Sequence, residues 1–288
     1  MNVMRWQSGV FIVLALLTSI ACGVLPPADP QAVLVWVGLL IVLLGVPHGA
    51  LDPVYAQAWP GIQGRAAWVF FVWSYLLLAT WVIAVWWRAP TLFLWGFLTI
   101  SVLHFSGDLT TGTPAWTRFF YGGAVIVLPA ALHADELTRL FALLTNPESA
   151  AWVVPTLQFM AWPWSAALLV AVVLNAHRDT VVALEVLAVS VLTLTAPPLI
   201  GFTVFFCAMH SPRHMLRTQV FAGMTLPALA AVALWPMLGV LLMAAGAWYG
   251  LPDSSLDARM VQFIFVALAA LTVPHMLLVE RVRFEGWP

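Results

Sequence analysis

Nearly uninterrupted apolar stretches, each about as long as a bilayer is thick, follow one another from residue 6 to residue 280 with only short breaks. A helix needs roughly 20 such residues to cross the hydrocarbon core. The stretches run 6–25, 31–50, 66–88, 91–106, 116–132, 151–174, 180–196, 198–216, 219–246 and 258–280. Those at 91–106 and 116–132 are short, and two others meet at Pro197-Pro198, so eight or nine spans also fit. Only 8% of residues are charged, against roughly 25% in a soluble domain, which leaves too little polar surface to face water. The pattern predicts an all-α chain: one domain over residues 1–288, a polytopic membrane bundle of about 8–10 transmembrane helices.

The few charges are informative. A net charge of −1 gives no electrostatic case for nucleic acid. All eleven basic residues are arginine. A chain without lysine cannot hold retinal as a Schiff base, so it can make or carry a retinoid but is not itself a rhodopsin. Cys22 and Cys207 are too few for a disulfide framework and form no C-x-x-C motif. Both are read as packing residues. TSIAC at 18–22 faintly resembles a lipoprotein cleavage site with Ser19 in place of leucine, but the segment reads better as a retained helix.

Arginine placement orients the bundle. With ten spans and a cytoplasmic N-terminus, the inside receives Arg5, Arg65, Arg118, Arg178, Arg213, Arg217, Arg281 and Arg283; the outside receives Arg88, Arg139 and Arg259. That bias agrees with the positive-inside rule for a multi-pass membrane protein. Trp6, Trp59, Trp86, Trp87, Trp116, Trp248 and Trp287 fall near span ends, as an aromatic belt requires. The same topology sends the second, fourth, eighth and tenth spans from outside to inside. It therefore brings His48, His104, His210, His214 and His275 to one depth, near the cytoplasmic leaflet.

Ionisable groups inside such a bundle are functional candidates by default. His210 and His214 are four apart, which on a helix puts both rings on one face about 6 Å apart, and Pro212 between them bends or ends that helix. His48 precedes Asp52 by four residues, and His104 precedes Asp108 by four. Each carboxylate can orient a histidine, its own or a neighbour's, because metal-bound imidazoles usually donate their free N–H to such a group. Gly49 and Gly107 allow close approach of backbone or substrate. The set of four histidines reads as a metal site, although spacing alone leaves zinc, copper, iron and nickel open. His275 reads as a hydrogen-bonded interior group, and His133 and His177, beside charged neighbours, as solvated loop residues.

PHGALD at 47–52, HFSGD at 104–108, HSPRH at 210–214 and VPHMLLVE at 273–280 resemble the Brp/Blh family, the bacterial membrane β-carotene 15,15′-dioxygenases. The resemblance, spread over most of the chain, implies a non-haem iron enzyme that splits the central double bond of β-carotene with O2 into two all-trans-retinal molecules. It maps the Fe(2+) ligands onto His48, His104, His210 and His214, with supporting roles for Asp52, Asp108 and His275. It also implies a functional link to a retinal-binding rhodopsin. The substrate is a rigid apolar rod already dissolved in the lipid bilayer, so lateral entry through an aromatic tunnel is expected. Trp95, Phe97, Phe105, Phe202, Phe205, Phe206 and Met209 are the candidate lining residues; ordinary helix packing accounts for any one of them equally well.

Two other classes compete. A di-iron membrane desaturase or hydroxylase needs about eight histidines in several clusters, whereas this chain has seven and one H-x3-H. A non-catalytic retinoid or carotenoid carrier, or a rhodopsin accessory protein, leaves the four histidines and two matched aspartates without a purpose.

Overall fold

The computed structural model describes residues 3–250 and 255–284, leaving Trp287 outside the described residues. Among them every regular element is a helix. The elements in order are α1 (Val3–Val24), α2 (Pro30–Leu40), α3 (Asp52–Gln57), α4 (Gly64–Arg88), α5 (Pro90–Phe105), α6 (Ala115–Val127), α7 (Pro129–Leu132), α8 (Ala134–Leu144), α9 (Pro147–Ala176), α10 (Thr180–Thr195), α11 (Pro198–Phe205), α12 (Ser211–Ala222), α13 (Leu226–Gly250) and α14 (Leu256–Phe284). Two of these junctions are continuous but irregular. A π turn (Ile41–Gly45) and a 3-10 turn (Val46–Leu51) join α2 to α3, and a π turn (Phe206–His210) joins α11 to α12.

Local chemistry sets the starts. Proline opens α2, α5, α9 and α11, where its missing N–H costs nothing. Asp29, Asn146 and Asp179 cap α2, α9 and α10 by accepting from the backbone N–H of Ala32, Ser149 and Val181. Gly223, at φ 60°, ends α12 in the left-handed region that glycine adopts without penalty.

Seven described segments are long and apolar enough to cross a membrane: Val3–Val24, Pro30–Gln57, Gly64–Arg88, Ala115–Leu132, Pro147–Ala176, Leu226–Gly246 and Leu256–Glu280. α5 and α10, at 16 residues each, are apolar but shorter. The expected stretch at 198–216 becomes the bent run of α11 and α12, which carries Arg213 and Arg217. The architecture is a polytopic membrane bundle. Its outside is apolar: Phe70, Trp73, Leu77 and Trp81 project from α4 with most of their surface exposed. α8 lies outside the expected spans. It buries Leu137, Leu140 and Leu144 and exposes Thr138 and Arg139, the one-sided pattern of a helix lying along the others.

α1 packs on α10, α10 on α9, α9 on α8 and α6, and α6 on α5, while α14 lies against α4, α8 and the α2 span. Arg213, expected at the cytoplasmic surface, is instead buried and ion-paired with Glu185 of α10 at 2.6 Å. It carries no weight in a count of loop charges. Cys22 lies within the continuous α1, and Cys207 is a partly buried thiol bonded to Leu40 O at 3.4 Å.

Close approach of α5 and α6 fixes where His104 can stand. A Cβ on Gly122 would lie 2.4 Å from both Ser106 N and Val102 O, on either side of His104. Gly122→Ala is therefore expected to destabilise the bundle by about 1–3 kcal/mol, as overpacking does. Gly96→Ala, where a Cβ meets nothing within 4 Å, should be neutral or stabilising by up to about 1 kcal/mol. Thermal unfolding of the two variants in detergent checks the contrast.

Candidate metal centre

Five histidines from four separated parts of the chain meet in one place. His48 sits in the 3-10 turn, His104 near the end of α5, His210 at the end of the second π turn, His214 one turn into α12, and His275 in α14. All five are buried. Ring centroids of His104 and His210 lie 4.6 Å apart, His48 and His210 4.9 Å, His214 and His275 5.0 Å, His104 and His275 5.2 Å, and His48 and His275 5.3 Å. The His210–His214 pair stands 6.5 Å apart, close to the distance expected for i, i+4.

Proline creates this geometry. Pro47 and Pro212 lack the N–H that continues a helix, and each follows a π turn, a feature that recurs at functional sites. The carbonyls exposed by the irregular turns find side-chain donors. Ser211 Oγ donates to Leu44 O at 2.5 Å, tying the two turns together, and His48 Nδ1 donates to Gly45 O at 2.5 Å. Gly45 leaves room for the Phe206 ring, which a Cβ would meet at 2.3 Å.

The two aspartates orient histidines, each a neighbour's and not its own. Asp108 accepts from His210 Nδ1 at 3.0 Å, and Asp52 accepts from His275 Nδ1 at 2.5 Å. Tyr75 of α4 donates to the other Asp52 oxygen at 2.8 Å, completing a Tyr75–Asp52–His275 chain. With Nδ1 occupied on His48, His210 and His275, Nε2 is the nitrogen left to bind elsewhere. Among the described residues, Nε2 of His210 and of His275 is buried with no hydrogen-bond partner. Two such atoms in an apolar bundle cost free energy unless something is bound there.

A metal ion would meet that need. Ligand nitrogens of His48, His104 and His275 all lie within 4.8 Å of one another. Two nitrogens sharing an ion can be about 4.2 Å apart at most, given bonds of about 2.1 Å, so slight side-chain adjustment closes the set. His210 and His214, expected as ligands, lie beside this trio and not in it: their rings stand 4.6 Å from His104 and 5.0 Å from His275, respectively, and His214 Nε2 is 3.3 Å from the Tyr55 hydroxyl, itself bonded to Thr218. His275, expected only as a supporting residue, thus stands inside the group. His133 and His177 lie at the ends of α8 and α9.

An apolar cavity of about 450 Å³ adjoins the histidines. His48, His104 and His275 line it together with Phe97, Phe105, Phe202 and Phe206. Trp95, Phe205 and Met209 do not. Phe205 is fully buried between Phe11, Phe105 and Tyr121, Met209 is buried beside Gln7, and Trp95 packs against the core. From α4 and α13, Val72, Leu76 and Met243 also line the cavity and are exposed on the outer surface. The cavity therefore reaches the lipid-facing side. Gly49 lies on its wall, and Gly107 lines a second, small polar cleft with Asp108, His210 and Arg217.

A family model described as β-carotene 15,15′-dioxygenase matches residues 39–282. The chain belongs to that family. A β-carotene 15,15′-dioxygenase from uncultured marine bacterium 66A03 is 31% identical over 263 residues, covering 86% of this chain and 93% of the relative. A probable β-carotene 15,15′-dioxygenase, Blh, from Halobacterium salinarum is 27% identical over 289 residues, covering 85% and 83%. No solved structure matches the chain.

Family membership leaves several members of the site unmarked by sequence reasoning. Tyr75, Tyr55 and Thr218 touch the histidines or their partners, and nothing distinguishes them from other polar residues along apolar spans. Expected behaviour follows from the carboxylate bonds. Asp52→Asn and Asp108→Asn should weaken metal binding 10–100-fold, the usual cost of losing such a partner. His275→Ala should lose metal as completely as His48→Ala. Metal content per purified chain, by elemental analysis after dialysis, measures both.

Proposed function

We propose that this chain is a membrane-embedded non-haem iron dioxygenase that cleaves the central 15,15′ double bond of β-carotene, consuming O2 and releasing two all-trans-retinal molecules. One observation carries the reading: His48, His104 and His275, whose ligand nitrogens lie within 4.8 Å of one another, line an apolar cavity whose wall also holds Val72, Leu76 and Met243 of the exposed apolar surface. The names of the relatives supply the substrate and reaction class. In overall balance the C15=C15′ bond is lost, each carbon becomes an aldehyde, and one O2 accounts for both oxygens.

His48, His104, His210 and His214 would hold Fe(2+), as the family resemblance implies, with His275 as a fifth nitrogen. Iron(II), when bound, supplies the redox chemistry that activates dioxygen. The protein's own residues do the rest. Asp108 and Asp52 hold His210 and His275 with Nε2 turned inward. The four phenylalanines give the polyene an apolar bed, and its orientation in that bed decides which double bond meets the centre. Apart from the histidines, the polar side chains on the cavity wall are Asp52, Tyr75, Ser101 and Thr272, so water is largely excluded. The carotenoid is already in the bilayer and would enter between α4 and α13. The positive-inside bias supports an inner-membrane location with the centre toward the cytoplasmic leaflet, and the product suits a retinal-binding rhodopsin.

A carrier and a di-iron enzyme predict different outcomes. In cells that make β-carotene, expression of this chain should bleach the orange pigment and accumulate retinal, seen by chromatography of extracts. Alanine at any of His48, His104, His210 or His214 should abolish bleaching while the chain still inserts. Chelation should silence the purified enzyme and Fe(2+) should restore it, with about one iron per chain. Unchanged pigment with a metal-loaded, inserted chain defeats the reading; two irons per chain favours the di-iron class.

A further inference from the structure

Gln7 lies near the start of α1, outside the residues that the family model matches. It is a buried amide in an apolar helix, bonded at both ends. Nε2 donates to Ala208 O at 2.8 Å and less closely to Met209 O at 3.4 Å. Ala208 is the residue four before Pro212, which has no N–H to offer it. Gln7 thus provides a donor for a carbonyl of the π turn that delivers His210.

The other end of Gln7 holds Arg213. Its Oε1 accepts from Arg213 Nε at 2.9 Å. Arg213 Nη2 donates to Ser8 Oγ at 2.8 Å and to Glu185 Oε1 at 2.6 Å, and Nη1 donates to Asp108 O at 3.1 Å. Arg217, one turn further along α12, donates to Gly107 O at 2.7 Å and to Asp108 O at 2.8 Å. The network therefore ends on two backbone segments. One carries His210 and the other carries Asp108, the two partners of a single hydrogen bond.

We propose that Gln7, Glu185 and Arg213 are positioning residues for the metal centre: they lock the 206–210 turn to the 107–109 turn so that Asp108 keeps His210 Nε2 aimed at the ion. Their task is registration of two turns that carry no regular helix hydrogen bonding of their own to one another. The first span, with Glu185 on α10, is then part of the site although it contributes no ligand. This inference rests on the metal reading above.

The test uses the full chain in detergent with Co(2+) as the probe, because its visible absorption reports ligand arrangement independently of turnover. Gln7→Met fills the same space without hydrogen-bonding its neighbours as an amide does, and Glu185→Gln keeps shape but removes charge. Both should bind Co(2+) about 10-fold more weakly, with shifted visible bands, in protein that elutes as wild type. Ser190→Ala, which removes a hydroxyl bonded only to Val186 O within α10, should leave affinity and bands unchanged. Wild-type bands and affinity in either folded variant overturn the proposal, and so does failure of both variants to yield any folded chain, which marks the network as structural. Wild-type protein that binds no Co(2+) defeats the metal reading instead.

Discussion

Inside an apolar bundle each polar atom has to find its partner within the chain, because lipid offers none. That constraint organises this protein. The turns at 41–51 and 206–210 abandon the regular helical ladder to bring histidines inward, and the carbonyls they expose are taken up by Ser211, His48 and Gln7. His48, His210 and His275 in turn give Nδ1 to a carbonyl or carboxylate. What remains is Nε2, which among the described residues is left without a hydrogen-bond partner at His210 and His275. A bound cation would satisfy them.

Much of this was legible in the sequence. Apolar run length located the spans, and the shared depth of five histidines followed from counting their direction. The pairing of histidine with aspartate was only half legible. The H-x3-D spacing assumes a regular helix, in which residues four apart share a face. His48 lies instead in a 3-10 turn, where at 3.0 residues per turn the fourth residue points about 120° away. Asp108 lies beyond the end of α5. Each carboxylate therefore reaches across to a different span, Asp52 to His275 and Asp108 to His210. His275 was undervalued for the same reason: its partner comes from a turn more than 200 residues away in the chain.

Glu185 and Gln7 show a different failure. A lone carboxylate in the middle of an apolar span is a signal that reading for ionisable groups can find, and Arg213 stands within HSPRH itself. Counting Arg213 among the cytoplasmic charges concealed both. The lining residues divide along similar lines. Phe97, Phe105, Phe202 and Phe206 face the cavity while Phe205, adjacent in sequence to Phe206, packs into the core. Neighbouring residues on a helix point about 100° apart, so closeness to a histidine in sequence cannot tell the two apart.

Why a buried ion pair should be kept here is a question of free energy. Removing one member of such a pair costs about 3–5 kcal/mol, yet replacing the whole pair with apolar side chains is often neutral or stabilising. Stability alone is thus a poor reason for Arg213 and Glu185. Position is a better one. A planar guanidinium offers five N–H groups in a fixed fork, and Arg213 spends them on Gln7, Ser8, Glu185 and the Asp108 carbonyl. An apolar replacement would fill the space but leave the Gln7 amide oxygen without its partner and the Asp108 carbonyl to Arg217 alone. Glu185 keeps the charge tolerable, and the geometry of the fork does what no hydrophobic contact can: it fixes the angle between two turns that together hold one imidazole.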